Sequence, residues 1–377
     1  MKNMILAALA AITIANASAA LPVPPAPDLA ARAYLLVDFQ SGIPLAAKDP
    51  DSRVEPASLT KLMTAYLTFK AVKTRRITLE QSYTVSERGW RTEGSRMFLD
   101  PKKPATVAEL IRGMIVQSGN DACVTLAEAI AGSEEVFAGM MNQEALRLGM
   151  KNTHYMNSTG LPHAQHFTTA RDLSILAQAI IRDFPEFFPI YSMKEYRYNN
   201  ITQPNRNLLL FRDPEVDGMK TGHTDSAGFC LIATKKHDGR RVLSVVLGTE
   251  SDNVRANESA KLLGYGLQFF DTPKVLNARQ VLATPRVYKG AAESVKLGVD
   301  ADQFITVAKG QGSNLQTQVV VSPTIVAPIA IGQALGLVKV VQGGQVVAEL
   351  PLKALEAVPQ AGFFGRTIDG MKLWFKH

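Results

Sequence analysis

Near Thr272 the sequence changes its period, and one packed layer cannot absorb both halves. From about Ala30 to Asp271, runs with helical spacing mix with β-type runs. "AYLLVDFQSGIPLAAK" predicts two strands joined at Gln40-Ser41-Gly42, and "SLTKLMTAYLTFKAVK" predicts a helix with Pro56 near its first turn. "VAELIRGMIVQSGNDACVTLAEAIAG" predicts two helices broken at Ser118-Gly119, and "ARDLSILAQAIIRDF" predicts another. After Lys220, "GFCLIATKKHDGRRVLSVVLGTE" predicts two strands turning at Asp238-Gly239, and "ESAKLLGYGLQFF" a closing helix. Strands at both ends with helices between imply a sheet completed by the two termini of the region and packed against helices. Beyond Thr272, short β-type runs separated by Gly, Pro and Asn take over, with a tight hairpin at Gln342-Gly343-Gly344-Gln345. The expected fold is α+β: a first domain over residues 20–275, then a small all-β domain over 276–357.

The two ends read differently again. "MKNMILAALAAITIANASAA" has Lys2, an apolar stretch from about Met4 to Ala15, then Ala17-Ser18-Ala19, the layout of a secretory leader cleaved after Ala19. Its apolar stretch is too short to span a bilayer. At the other end, residues 358–377 end in "AGFFGRTIDGMKLWFKH". On a helical wheel Phe363, Phe364, Ile368, Met371, Trp374 and Phe375 share one face, and Arg366, Asp369, Lys372, Lys376 and His377 the other, with Leu373 the exception. Such a helix is expected to lie in a membrane interface as a reversible anchor, with docking on the protein's own surface as the competing reading.

Hydrophobic content of 46% and charged content of 20% are those of a globular protein. The formal charge of +7 comes from scattered lysines and arginines, with no basic block interleaved with aromatics. That pattern points away from nucleic acid and towards an anionic membrane or cell-wall surface. Cys123 and Cys230 sit in apolar contexts and make no disulfide framework, so a buried free thiol is expected of each.

Ser58 and Lys61, one helical turn apart among apolar residues, raise the chemical question. A serine hydroxyl is a poor nucleophile until something removes its proton, and a lysine does so only when it is neutral. The S-x-x-K pattern alone is weak, since about one occurs by chance in a chain this long. Ser118-Gly119-Asn120, between two helical stretches, and Lys220-Thr221-Gly222, leading into a strand, change that. K-T-G arises by chance only about 0.05 times per such chain, and the order of the three elements is that of serine β-lactamases and penicillin-binding proteins. Ser251-Asp252-Asn253 spells the middle element too, but follows the K-T-G and is set aside.

The sequence resembles the low-molecular-mass penicillin-binding proteins that act as D-alanyl-D-alanine carboxypeptidases. "VDGMKTG", "QSGNDAC", "QPNRN", "FTTARD", "VRANESAKLL", the β-rich second domain and the amphipathic tail carry the resemblance, from about Ala30 onwards. It implies a β-lactamase/transpeptidase-like catalytic domain, an antiparallel sheet with helices, working on peptidoglycan stem pentapeptides and acylated by β-lactams. It also implies a periplasmic enzyme attached to the outer face of the cytoplasmic membrane, with no cofactor. Ser58 would be the nucleophile and Lys61 its base. The N–H groups of Ser58 and His223 would form the oxyanion hole, and Ser118 would relay a proton beside Lys220. Asn120 would bind the substrate amide and steady Lys61. Thr221 and Gly222 would line the strand along which substrate lies, a side chain at 222 blocking its approach. Arg206 and Arg255 would receive the substrate's carboxylate.

Two other readings stay open at this point. A β-lactamase needs fast deacylation, and no Glu-x-x-Leu-Asn segment lies between Asn120 and Lys220. A non-catalytic wall-binding protein would not need Lys61 beside Ser58. His163 and His166 have a spacing a metal could use, but no nearby Cys or carboxylate completes a set, so a polar loop is expected there. The absence of a G-x-S-x-G elbow removes an α/β-hydrolase.

Overall fold

The computed structural model describes residues 23–374. The leader expected over 1–19 and the last three residues of the tail lie outside the described residues.

Strands β1 (Ala33–Asp38) and β2 (Pro44–Lys48) come first, followed by a 3-10 turn over Ala57–Thr60 and helix α1 (Lys61–Lys73). Helices α2 (Val107–Val116), α3 (Asn120–Ala131), α4 (Glu134–Leu148) and α5 (Ala170–Asp183) follow. A hairpin of β3 (Glu195–Tyr198) and β4 (Ile201–Pro204) leads to β5 (Val216–Thr224), β6 (Gly228–His237), β7 (Arg240–Thr249) and helix α6 (Asp252–Phe269). The β-rich part carries β8 (Leu315–Val321), β9 (Ala334–Gln342) and β10 (Gln345–Ala354), and helix α7 (Phe363–Trp374) closes the chain.

The first domain is built on one antiparallel sheet in the order β2-β1-β7-β6-β5, so its earliest and latest strands do pair, and β5 is an edge. Both faces of this sheet are covered, which is why its strands read as apolar runs and not as strict alternation. Leu35, Val37, Leu243 and Val245 pack into the helical core on one side, while Leu36, Leu231, Val242 and Val246 pack with Leu262 and Leu263 of α6 on the other.

The helix expected from Ser58 onwards starts differently. Ala57 has a left-handed backbone (φ 46), the chain passes through a 3-10 turn, and the α-helix begins only at Lys61. The discarded triplet at Ser251 turns out to be a helix start, with the Ser251 side chain accepting from the N–H of Val254. Helix α4 and the β3–β4 hairpin had no counterpart in the sequence reading.

In the β-rich part a short strand at Leu297–Gly298 joins β10, β9 and β8 into one sheet over a core including Val287, Val295, Ile325, Val338 and Leu352. Gly343 and Gly344 turn the predicted hairpin with φ of 56 and 84, the paired positive values that a two-residue type I′ turn demands. Buried Asp38 at the end of β1 ties this part to the first. One carboxylate oxygen accepts from Arg240 Nε at 2.8 Å and Thr272 Oγ1 at 2.7 Å, and the other from the N–H groups of Gln40 and Ser41. The hydroxyls of Ser41 and Thr306 meet at 2.6 Å across the same junction.

Helix α7 is held by its polar side: Asp369 accepts from the N–H of Lys289 at 2.7 Å and from Arg286 Nη2 at 3.3 Å. On its other side Phe363, Phe364, Ile368 and Trp374 are exposed. Among the described residues no helix is long and apolar enough to cross a membrane.

Candidate active site

Ser58 owes its position to the turn before α1. Ala57 turns the chain left-handed, and Gly160 (φ 89) backs onto it so closely that an added Cβ would lie 1.8 Å from the Ala57 carbonyl oxygen. Only glycine fits there. Three residues after Ser58, Lys61 opens α1 with its side chain buried, 2% exposed, and its Nζ donates to Ser58 Oγ at 2.9 Å and to the Thr159 carbonyl at 2.6 Å. Burial lowers the Lys61 amine from the ordinary 10.5 to about 8; the Arg206 guanidinium pushes the same way, while the Asp121 carboxylate opposes.

Ser118 lies between α2 and α3, buried and in a left-handed backbone (φ 59), a conformation that a residue other than glycine adopts only where its surroundings impose it. Its Oγ accepts from Lys220 Nζ at 3.0 Å, and the same amine donates to the Thr221 carbonyl at 3.0 Å. Lys220 is held well below the ordinary lysine range, first by burial and then by the charge of Lys61. The site therefore contains two hydroxyl–amine pairs in dry surroundings, where the Lys61 charge disfavours a proton on Lys220.

Asn120 opens α3 with its Nδ2 donating to the Glu93 carbonyl at 2.5 Å, while its buried Oδ1 has no protein partner. No hydrogen bond joins it to Lys61 among the described residues; the amine is steadied by the Thr159 carbonyl instead. Gly222 has a close neighbour within the protein. A Cβ there would point at the nucleophile's own turn, 3.1 Å from the Pro56 carbonyl oxygen and 3.3 Å from Ala57 Cβ and Leu59 Cγ. The glycine lets β5 pack against the turn that carries Ser58; a Cβ at 222 would press on that turn by a few tenths of an ångström.

Ser58, Ser118, Thr221, His223, Arg206 and Arg255 line one cleft of about 460 Å³, with Lys61, Asn120 and Lys220 buried around its inner end. His223 is exposed and packs against Phe229, the two rings tilted by 31° with centroids 3.9 Å apart. Arg206 is exposed at the mouth, its Nη1 donating to Ser95 Oγ at 2.6 Å. Arg255 is buried, donates to the Gly222 carbonyl at 3.2 Å and pairs with Asp252. The cleft is thus cationic at one side and carries two activated hydroxyls at the other.

Sequence reasoning missed Ser95, Asp121, Thr159 and Gly160. The last two lie in Asn157-Ser158-Thr159-Gly160, whose Asn157 side chain accepts from the N–H groups of Thr159 and Gly160. That run of turn-forming residues is the available signal. The histidines do not form a site. His163 is exposed, whereas His166 is buried, bonded to Thr60 Oγ1 at 2.9 Å, and pushed down to about 4 by burial. The loop carrying His166 is the polar one expected, and its buried imidazole serves there as a neutral strut under the start of α1. Cys123 and Cys230 are both free and buried.

The D-alanyl-D-alanine carboxypeptidase family pattern matches residues 19–251, and the pattern for the C-terminal domain of penicillin-binding protein 5 matches residues 270–360. The chain is 41% identical over 358 residues to D-alanyl-D-alanine carboxypeptidase DacC of Escherichia coli K12, covering 93% of this chain and 90% of that one. It is similar in structure to penicillin-binding protein 5 of Haemophilus influenzae, with TM-score 0.86 and 41% identity over 90% of this chain and all (100%) of the other. Its first domain is similar to penicillin-binding protein D2 of Listeria monocytogenes, solved in an ampicillin-bound form, with TM-score 0.60 and 29% identity over 65% of this chain and 100% of that one. On sequence and on structure, the chain belongs to the D-alanyl-D-alanine carboxypeptidase family.

Proposed function

We propose that the protein is a serine-type D-Ala-D-Ala carboxypeptidase, removing the terminal D-alanine from peptidoglycan stem pentapeptides through an ester on Ser58. The observation that carries this reading is the buried Lys61 amine 2.9 Å from Ser58 Oγ. Neutral Lys61 takes the hydroxyl proton as Oγ attacks the carbonyl between the two D-alanines. The N–H groups of Ser58 and His223 receive the developing oxyanion, where one lost donor costs about 2.7–4 kcal/mol in comparable sites. The proton held by Lys61 returns to the departing amine by way of the Ser118 hydroxyl, which gives up one proton as it receives another beside Lys220; the C–N bond breaks, D-alanine leaves as a neutral amine, and the acyl group stays on Ser58. Water then attacks the ester and restores the hydroxyl.

Recognition follows from the same walls. Asn120 Oδ1, which has no protein partner, would accept a substrate amide N–H. Strand β5 is the edge of its sheet, and an extended peptide would lie along it beside Thr221 and Gly222. Arg206 and Arg255 supply positive charge for the terminal carboxylate, which guanidinium can meet with two parallel donors. Penicillins would acylate the same hydroxyl, a reading supported by the ampicillin-bound relative. The expected assay combines intact mass after penicillin with D-alanine release from a peptide ending in D-Ala-D-Ala. A stable adduct on Ser58 and release abolished by Ser58→Ala support the reading; rapid drug turnover without an adduct would instead make the protein a β-lactamase.

The leader reading and the exposed aromatic face of α7 support a periplasmic enzyme resting on the cytoplasmic membrane's outer face. Changing Phe363, Phe364 and Trp374 to Glu should abolish co-sedimentation with anionic liposomes; unchanged binding would remove the anchor.

A further inference from the structure

Next to the cleft lies a second hollow of about 480 Å³ that the proposed reaction does not use, with Trp90, Arg96, Phe98, Asp100, Asn199 and Ile201 among its walls. Phe98 is its unusual member. The residue is 42% exposed and its backbone is left-handed, φ 65, a conformation that is strained for a bulky residue; the Arg96 guanidinium lies over its ring, 5.7 Å from the centroid. Its neighbours hold it there. Met97 and Leu99 are buried, and their N–H groups both donate to the Asp121 carboxylate, at 2.9 and 3.0 Å. A chain pinned on both sides of one residue turns that residue outwards. The β3–β4 hairpin tightens the hold, with Gln203 Nε2 donating to the Arg96 carbonyl at 3.0 Å and Asn199 Nδ2 to the Phe98 carbonyl at 3.4 Å. Phe98 is therefore presented in a fixed position, beside the exposed Trp90 and Ile201.

Two features identify the occupant. The first is the lining: aromatic and aliphatic faces with an amide, a carboxylate and a guanidinium around them. A pyranose ring is complementary to that set, because its C–H faces are apolar and its edges carry hydroxyls and, when N-acetylated, an amide. The second is continuity. Ser95 lines the cleft and accepts from Arg206, and Arg96, the next residue, lines the hollow. Four extended stem residues reach up to about 14 Å, enough to connect adjoining sites.

We propose that this hollow is a saccharide subsite, holding the N-acetylated sugar from which the stem peptide hangs while the peptide's end occupies the cleft. The proposal rests on the carboxypeptidase reading for its substrate, and its test separates the two. The kcat/KM for D-alanine release is measured on a free pentapeptide and on the same peptide linked to its disaccharide. The variants are Trp90→Ala and Phe98→Gly, the latter suited to a backbone at φ 65 and so expected to fold. The full-length protein should prefer the linked substrate by about tenfold, equivalent to about 1.4 kcal/mol. Each variant should lose most of that preference and cleave the free peptide within about twofold of the parent. No preference in the parent, or the same preference in the variants, overturns the subsite alone. Failure of the parent to release D-alanine from either substrate overturns the carboxypeptidase reading. The subsite is then decided by titrating the peptide-free disaccharide against tryptophan fluorescence: a change lost in Trp90→Phe supports it, and no change overturns it.

Discussion

If Lys61 is the base, acylation must follow its titration. Lowering the amine from 10.5 to about 8 raises its neutral fraction at pH 7 about 300-fold, from ~0.03% to ~9%. The second-order rate of Ser58 acylation by a penicillin, followed by stopped flow or quenched mass spectrometry, should therefore rise about tenfold per pH unit from pH 6 and level off above about 8. Lys61→Arg keeps a donor but stays protonated, and should slow acylation by about 10²–10⁴ with the limb erased. Lys220→Arg fixes a cation beside Ser118, so it should move any remaining limb to lower pH. The same burial sets the sign for stability. The unfolded chain binds the Lys61 proton more tightly, so the contribution of Lys61 to unfolding free energy should increase between about pH 8 and 10, by up to about 1.4 kcal/mol per unit. A wild-type acylation rate flat from pH 6 to 9, or a Lys61→Arg protein with an unchanged profile, would refute the assignment.

Gly222→Ala pushes on the Pro56–Leu59 turn and should slow acylation by roughly 10²-fold, the scale of a misplaced reacting group, while the thermal midpoint moves by only a few degrees. Asp121→Ala leaves the Met97 and Leu99 N–H groups unpaired in a buried setting and should cost about 2–4 kcal/mol in urea unfolding; a cost below about 0.5 kcal/mol would contradict the pinning role. Asp38→Ala strands the Arg240 guanidinium at the junction of the two parts and should cost about 3–5 kcal/mol; the check is whether the two parts then melt as separate transitions by calorimetry.

The elements with strong period or turn chemistry were legible from residues alone: the β6–β7 hairpin, the break at Ser118-Gly119 and the paired glycines at 343 and 344. What stayed hidden was set by tertiary contact. Strand β3 and strand β4 are half exposed and have no apolar alternation to announce them. The 3-10 turn at Ser58 replaces an expected helical turn where Gly160 abuts Ala57, a contact between residues a hundred positions apart. Within the site, side chains named by motif converge on one cleft, but supports that act through backbone atoms, such as the Thr159 carbonyl, leave no mark on residue type. Gly222 was singled out for close approach, and the structure adds a protein neighbour, the Pro56–Leu59 turn, that residue type alone does not announce.

Strand β5 ends its sheet, so one wall of the cleft is a row of peptide groups. Peptide groups do not mutate: every residue but proline carries the same donor and acceptor. Selection by an inhibitor that mimics an extended peptide therefore has little purchase on this wall. Escape has to come from the facing side chains or from the turn that sets the distance between nucleophile and strand.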